Sequence, residues 1–331
     1  MKLRSKLAGA VAGAAVLGAV QASAGSHLTD VTVAYFPEWP VPAQWGQANG
    51  AFEEAGLNIK WISFDTGTAM SAAMASGDVH IAYSQGVTPF LVATAAGQDL
   101  TAVDVAMTYS DNDNCVVRSS LEIDKTNAAE LAGKQVAVPL GTAAHSGFLT
   151  QMKYFGVDPD SMKIVDMAPV DSAAAFASGE LDMACGWGGP LRRMKEFGNV
   201  LIDGAEKEAV VGKVFDLVSV PTAWAEENAE TLSKFLAVNA AMETKYAMDG
   251  DAMLGDIAKV SGMDEEGAAY VLGVFGFPTV ETKLSADWLG GFVEQYLSEN
   301  AASLEASGQL TALDDYGSLV DASYLEAVNA M

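Results

Sequence analysis

Thr66-Gly67-Thr68-Ala69 running to Ala75-Ser76-Gly77-Asp78-Val79, and Asp171-Ser172-Ala173 running to Ala177-Ser178-Gly179-Glu180-Leu181, share one pattern: a short small-residue helix, then Ser-Gly-acid, then a strand. Each Gly suits a helix C-terminus that needs φ > 0, with a sheet strand following at once. Alone, this is a common helix-to-strand connection and indicates no function. Outward from the first copy, residues 31–35, 59–64 and 79–83 alternate as strands, while residues 44–54, 68–75 and 89–96 read as helices. Pro89 near a first turn and Gly97 after a last turn follow the Pro-early, Gly-late asymmetry of helices. Around the second copy the pattern restarts. Residues 102–107, 115–118, 135–139, 163–165, 181–185 and 217–220 read as strands, with helices at 146–155 and 172–177. After Pro221 the apolar spacing is helical, over 226–248, 252–260, 265–274 and 285–307. Strands alternating with helices predict mostly parallel sheets, so the expected fold is α/β, in two units followed by a helical C-terminal segment.

The N-terminus sets the compartment. Lys2, Arg4 and Lys6 precede an apolar stretch over residues 7–20, and Ala22-Ser23-Ala24 is a small-residue cleavage site. This is the three-part pattern of a secretory signal, so residues 1–24 are expected to be removed and a soluble chain exported. No Cys stands at the cleavage site to carry a lipid. The chain has 18 Lys+Arg against 43 Asp+Glu, a net charge of −25, which repels nucleic acid and anionic membranes. Half of the residues are apolar and 18% charged, so the acidity belongs to a solvated surface over large cores and not to a disordered chain. Cys115 and Cys185 are the two cysteines. Their even number in an oxidising compartment permits one disulfide, and two buried thiols are the other reading. Three dispersed histidines, His27, His80 and His145, without CxxC or HExxH, give no metal site. No cofactor is expected.

Phe64-Asp65-Thr66-Gly67-Thr68, then Ala75-Ser76-Gly77-Asp78-Val79-His80-Ile81-Ala82, then Gly133-Lys134-Gln135-Val136-Ala137-Val138-Pro139 together resemble the solute-binding proteins of ABC importers for sulfonates, nitrate and related solutes. At Thr142, His145, Trp187 and Asp216 the chain looks most like the taurine-binding branch. The resemblance implies a two-lobed periplasmic binding protein of type II: two α/β domains joined by two crossover strands, with the solute held between. It places the crossings near Arg118-Ser119 and Val218-Ser219. Lobe one then combines residues 25–118 with 219–331, and lobe two is 119–218. A hinge closing on the ligand is the implied motion. The implied partners are a membrane permease and its ATPase subunits, with the binding protein itself a monomer.

Taurine pairs a sulfonate with an ammonium across two methylenes, so its site needs donors at one end, a carboxylate at the other and apolar walls. Tyr83-Ser84-Gln85-Gly86-Val87-Thr88 leads from a strand into a helix, and Gly141-Thr142-Ala143-Ala144-His145 does so in the second lobe. Free N–H groups and the positive helix end favour an anion at both, which makes Ser84, Gln85, Gly86, Thr88, Thr142, Ala143 and His145 the candidates for the sulfonate. Ordinary capping by Ser or Thr is the bland reading of each loop. Asp216, just before an apolar strand, needs a cationic partner once buried: the ligand ammonium, or Lys213 or Arg192. Trp187 in a Gly-rich turn is the candidate wall. Phe36, Glu38 and Trp39 hold the matching place in lobe one, with Glu38 a possible second carboxylate for a larger or more cationic amine sulfonate.

The expected function is therefore capture of taurine for import, not catalysis: there is no GxSxG nucleophile motif and no base paired with a nucleophile. Other sulfonates, nitrate or a thiamine precursor are the alternatives within the class. A secreted enzyme on a small metabolite and a sensory adaptor are the alternatives outside it.

Overall fold

The computed structural model describes residues 28–330 apart from Ser110, Lys213 and Ser307. The signal expected at 1–24, His27, and Lys213 as a partner for Asp216 lie outside the described residues.

Among the described residues eleven strands form two sheets. β1 (Thr29–Tyr35), β2 (Leu57–Ser63), β3 (Ile81–Gly86), β4 (Leu100–Tyr109), β10 (Val214–Pro221) and β11 (Phe275–Gly276) make the first, in the order β11-β4-β10-β3-β1-β2. β5 (Asp113–Arg118), β6 (Gln135–Val138), β7 (Lys163–Asp166), β8 (Met183–Trp187) and β9 (Gly198–Val200) make the second, in the order β7-β6-β8-β5-β9. In the first sheet β1 runs parallel to β2 and β3, whereas β10 is antiparallel to β3 and β4. In the second, β6 is parallel to β7 and β8, and β5 antiparallel to β8 and β9. The mostly parallel expectation holds among β1, β2 and β3 and among β6, β7 and β8. It fails for β4, β5, β9, β10 and β11, which pair antiparallel and so need no crossover helix between partners.

Sheet membership also moves the crossings. β5 lies wholly in the second sheet and β10 wholly in the first, so the chain changes sheet between Tyr109 and Asp113 and again between Val200 and Val214. Arg118-Ser119 and Val218-Ser219, where the sequence reading put the crossings, lie past these points. A strand's sheet is decided by its neighbours, and residues 113–118 and 214–221 are apolar enough for either core.

The other departures are local. The helix expected over 44–54 divides into Ala43–Ala48 and Ala51–Glu54 at Gly50, whose φ is +77°. The helix expected over 226–248 divides into Thr222–Glu227 and Ala229–Asp249. β9 and the helices Gly188–Lys195 and Gly204–Val211 have weak patterns and were not expected. Cys115 and Cys185 face each other across β5 and β8 and form a disulfide. Among the described residues no helix is long and apolar enough to cross a membrane.

Within the core of the first half, Lys283 is fully buried between Asp104 and Glu243, its Nζ donating to Asp104 Oδ2 at 3.1 Å and to Glu243 Oε2 at 2.9 Å. A buried ion group is tolerated when every charge is paired, and this one ties β4 to the helices Ala229–Asp249 and Val280–Leu284. Burial pushes Glu243 up to about 7 despite Lys283.

Candidate ligand-binding site

The carboxyl ends of parallel strands from both sheets open onto one small pocket, the place where α/β sheets bind ligands because the following helices begin there. Phe36 and Trp39 come from the loop after β1, Gly86 from the end of β3, Tyr109 from the end of β4 and Asp216 from β10. The second half supplies Asp113 at the start of β5, Thr142 and Ala143 after β6, and Trp187 at the end of β8. The pocket's volume is about 20 Å³, room for roughly one water molecule. Asp113 and Ala143 also line a wider cavity of about 580 Å³ beside it, bounded by the helices Ala143–Tyr154, Gly204–Val211 and Phe292–Ala306.

Asp216 is the best-anchored group. It is 1% exposed, and its carboxylate accepts from Ser84 Oγ at 2.6 Å and from Tyr109 OH at 2.9 Å. Ser84 Oγ in turn accepts from Trp39 Nε1 at 2.7 Å. The backbone sets this chain of bonds up: β3 carries an irregularity opposite Val218, and Ser84 there adopts φ +70°. A non-glycine residue in the left-handed region costs about 1–2 kcal/mol, and the strain aims the hydroxyl between Trp39 and Asp216. Burial pushes the Asp216 carboxyl up to about 7, against the two hydrogen bonds, which lower it. Asp113, 5% exposed, is pushed up to about 7 by burial as well, with Lys207 drawing it down.

Opposite these carboxylates lie helix beginnings. Gly67 and Ala143 are the first residues of the helices Gly67–Ala75 and Ala143–Tyr154, while Gly86 and Trp187 immediately precede Val87–Ala95 and Gly188–Lys195. First-turn N–H groups have no partner inside a helix; at Gly188–Lys195 the first two are taken by Asn112 O and Glu38 O and the third residue is Pro190, so the other three termini give the pocket a donor-rich, positive side without a basic side chain. Thr142 caps its helix, accepting the His145 N–H at 3.4 Å and donating to Pro139 O at 2.6 Å. Thr88 Oγ1 and Ser146 Oγ, 3.1 Å apart, join the two halves close by.

Three sequence candidates are engaged elsewhere. Gln85 is fully buried and donates to Gly67 O and Ser71 Oγ while accepting from Ser219 Oγ, so it ties β3 to its neighbours. His145 does not line the pocket: its Nδ1 accepts the Gly141 N–H at 3.3 Å, and burial lowers its pKa, with Asp166 and Gln309 opposing. Glu38 is paired with Arg193 of the second half, and its backbone O accepts the Gly189 N–H at 3.2 Å. It is a contact between halves and not a second carboxylate for a cation. Arg192, the other partner considered for Asp216, pairs with Glu266. Phe36, Trp39, Trp187, Gly86, Thr142, Ala143 and Asp216 do line the pocket. Tyr109 and Asp113 were missed; an Asp preceding Asn114 and Cys115 carries no motif, and only the bend at Asp111-Asn112 turns it inward.

The NMT1/THI5-like family pattern matches residues 42–250 of this chain, more than half of it. The chain belongs to that family. Over 309 residues it is 26% identical to the taurine-binding periplasmic protein of Escherichia coli strain K12, covering 91% of this chain and 94% of that protein. Among solved structures it is similar to the alkanesulfonate-binding protein SsuA from Xanthomonas axonopodis pv. citri bound to MOPS, with a TM-score of 0.72, 17% identity and coverage of 88% and 98% of the two chains. The desulfurization enzyme DSZB is also similar, with a TM-score of 0.67 at 13% identity over 91% of this chain and 99% of that one. Periplasmic solute-binding proteins therefore share this family member's two-sheet fold, and so does an enzyme: the fold alone does not select the activity.

Proposed function

We propose that this chain is the solute-binding component of an ABC importer, that its solute is a zwitterionic sulfonate such as taurine, and that it hands the solute to a membrane permease driven by separate ATPase subunits. One observation carries the reading: the pocket is lined by two buried carboxylates, Asp216 and Asp113, and by helix N-termini, with no Lys, Arg or His among its lining residues. A cation answers the carboxylates and an anion answers the N–H groups. Nitrate or a simple alkanesulfonate would leave the Asp216 carboxylate without a cationic partner, whereas Asp113 has Lys207 beside it. The lining has no thiol and no imidazole to serve as nucleophile or base, which favours binding over catalysis. The printed name of the Escherichia coli relative supports a periplasmic location, the charge and apolar pattern of residues 1–24 supports export by a secretory signal, and a monomeric state belongs to the same proposal.

The two sheet-centred halves are the lobes, with the connections from β4 to β5 and from β9 to β10 as the hinge. A pocket of about 20 Å³ is too small for a sulfonate, so the lobes separate to admit it and close over it. A thermal shift assay with taurine, ethanesulfonate and nitrate tests the reading, because a ligand of the native state raises the melting temperature with concentration. Stabilisation by taurine well beyond ethanesulfonate is expected. Equal stabilisation by the two removes the ammonium from recognition, and no stabilisation by either overturns the sulfonate reading.

A further inference from the structure

The aromatic lining of the pocket exceeds what a primary ammonium needs. Trp187, Phe36, Trp39 and Tyr109 touch in sequence, with ring centroids 5.6, 6.1 and 5.4 Å apart and interplanar angles of 58°, 72° and 84°. All four line the same pocket as Asp216 and Asp113. Steep angles between successive rings make a folded wall and not a stack. The polar tips of two of them are already committed, since Trp39 Nε1 donates to Ser84 and Tyr109 OH donates to Asp216. What these residues offer a solute is therefore ring surface. Each oxygen of Asp216 already accepts one hydrogen bond, from Ser84 and from Tyr109, which reduces its capacity for new donors.

A primary ammonium brings three N–H donors that each need an acceptor in a set direction. Each methyl group removes one donor and a trimethylated ammonium brings none: its charge is spread over methyl groups, which are attracted to ring faces and to carboxylates without directed bonds. We propose that the solute's cationic end is a methylated ammonium, so that the preferred ligand is an N-methylated amino-sulfonate held in the enclosure of Phe36, Trp39, Tyr109 and Trp187 with Asp216 and Asp113 supplying the countercharge. This rests on the sulfonate reading above and narrows it. The loop carrying Phe36 and Trp39 belongs to the first half and Trp187 to the second. The enclosure is complete only when the halves are together, so closure and recognition of the cation are one event.

Titration calorimetry of the purified protein with taurine, N,N,N-trimethyltaurine, ethanesulfonate and choline tests the proposal. Trimethyltaurine is expected to bind at least about tenfold more tightly than taurine. Trp187→Leu is expected to bring the two affinities close together, and Trp187→Phe, which keeps a ring, to retain part of the preference. The comparison in the unsubstituted protein stands even if Trp187→Leu does not fold. Taurine binding as tightly as trimethyltaurine, or more tightly, overturns the methylated class and leaves the sulfonate reading intact. Choline and trimethyltaurine binding with equal affinity, with ethanesulfonate and taurine silent, keeps the enclosure and overturns the sulfonate. Binding of neither methylated cation overturns the proposal whatever taurine does.

Discussion

Asp216 shows how one residue acquires a role from three others. A buried carboxylate without partners would be neutralised, but hydrogen bonds from Ser84 and Tyr109 oppose the burial and leave it near 7. At that value its charge depends on pH within the working range. A cationic solute binds the ionised form, so affinity for taurine is expected to weaken by roughly tenfold per unit as pH falls below about 7. A binding curve flat from pH 5 to 8 would remove Asp216 from contact with the cation. Asp216→Asn removes the charge at nearly constant shape, and loss of a buried charge partner predicts about 100-fold weaker taurine binding. Ethanesulfonate binding should change far less. Calorimetry with both ligands, alongside a melting curve of the variant, checks this.

At the scale of elements, the junction between the loop after β1 and the helix Gly188–Lys195 holds the two halves together. Gly188 sits at φ +59°, and a Cβ there would lie 2.7 Å from Glu38 O; a Cβ on Gly189 would run into the Glu38 side chain. Only residues without side chains let the Glu38 loop meet this helix start, where Glu38 pairs with Arg193. Gly189→Ala is therefore expected to hinder closure, raising the dissociation rate of taurine about tenfold with little change in the melting temperature of the free protein. Stopped-flow dissociation and a thermal melt distinguish this from general destabilisation. The disulfide acts within one element pair. Cys115 and Cys185 close a loop of sequence separation 70, for which chain entropy predicts up to about 4 kcal/mol of stabilisation. The double variant Cys115→Ala, Cys185→Ala should unfold at lower urea concentration by a corresponding amount, and taurine should still bind it, because neither sulfur lines the pocket.

For the molecule as a whole, three buried carboxyls set the pH response. Asp216, Asp113 and Glu243 are each raised to about 7 by burial, from ordinary values near 4. The folded protein thus holds protons that the unfolded chain releases. Their contribution to stability is complete below about pH 4 and is lost as pH rises through about 7. The melting temperature of the free protein is expected to fall between pH 5 and 8, and a cationic solute to restore part of it, so the shift produced by taurine should be larger at pH 8. A differential scanning series over pH, with and without taurine, reads both effects. A free protein most stable at pH 8 would contradict the assigned burial of these groups.

Alternation of residues 31–35, the helix stops at Gly77 and Gly97, and the Ser-Gly-acid echo in each half were enough to place the repeated α/β units and the helical end, because period and turn chemistry are local properties of a chain. The loops that begin helices at Gly86 and Thr142 were legible for the same reason, whereas Trp187 and Asp216 were singled out by the resemblance to the taurine-binding branch. Which sheet β5 and β10 join was not legible, since an apolar strand fits either core and only its neighbours choose. Nor were the fates of Gln85, His145 and Glu38. Each carries the right chemistry, but Ser219 and Arg193 reach Gln85 and Glu38 first across separations that no local pattern encodes, and the backbone of Gly141, four residues away, takes His145 Nδ1. The tertiary structure alone brought Tyr109 and Asp113 into the pocket, because the chain changes sheet between them and so sets the end of β4 and the start of β5 beside Asp216.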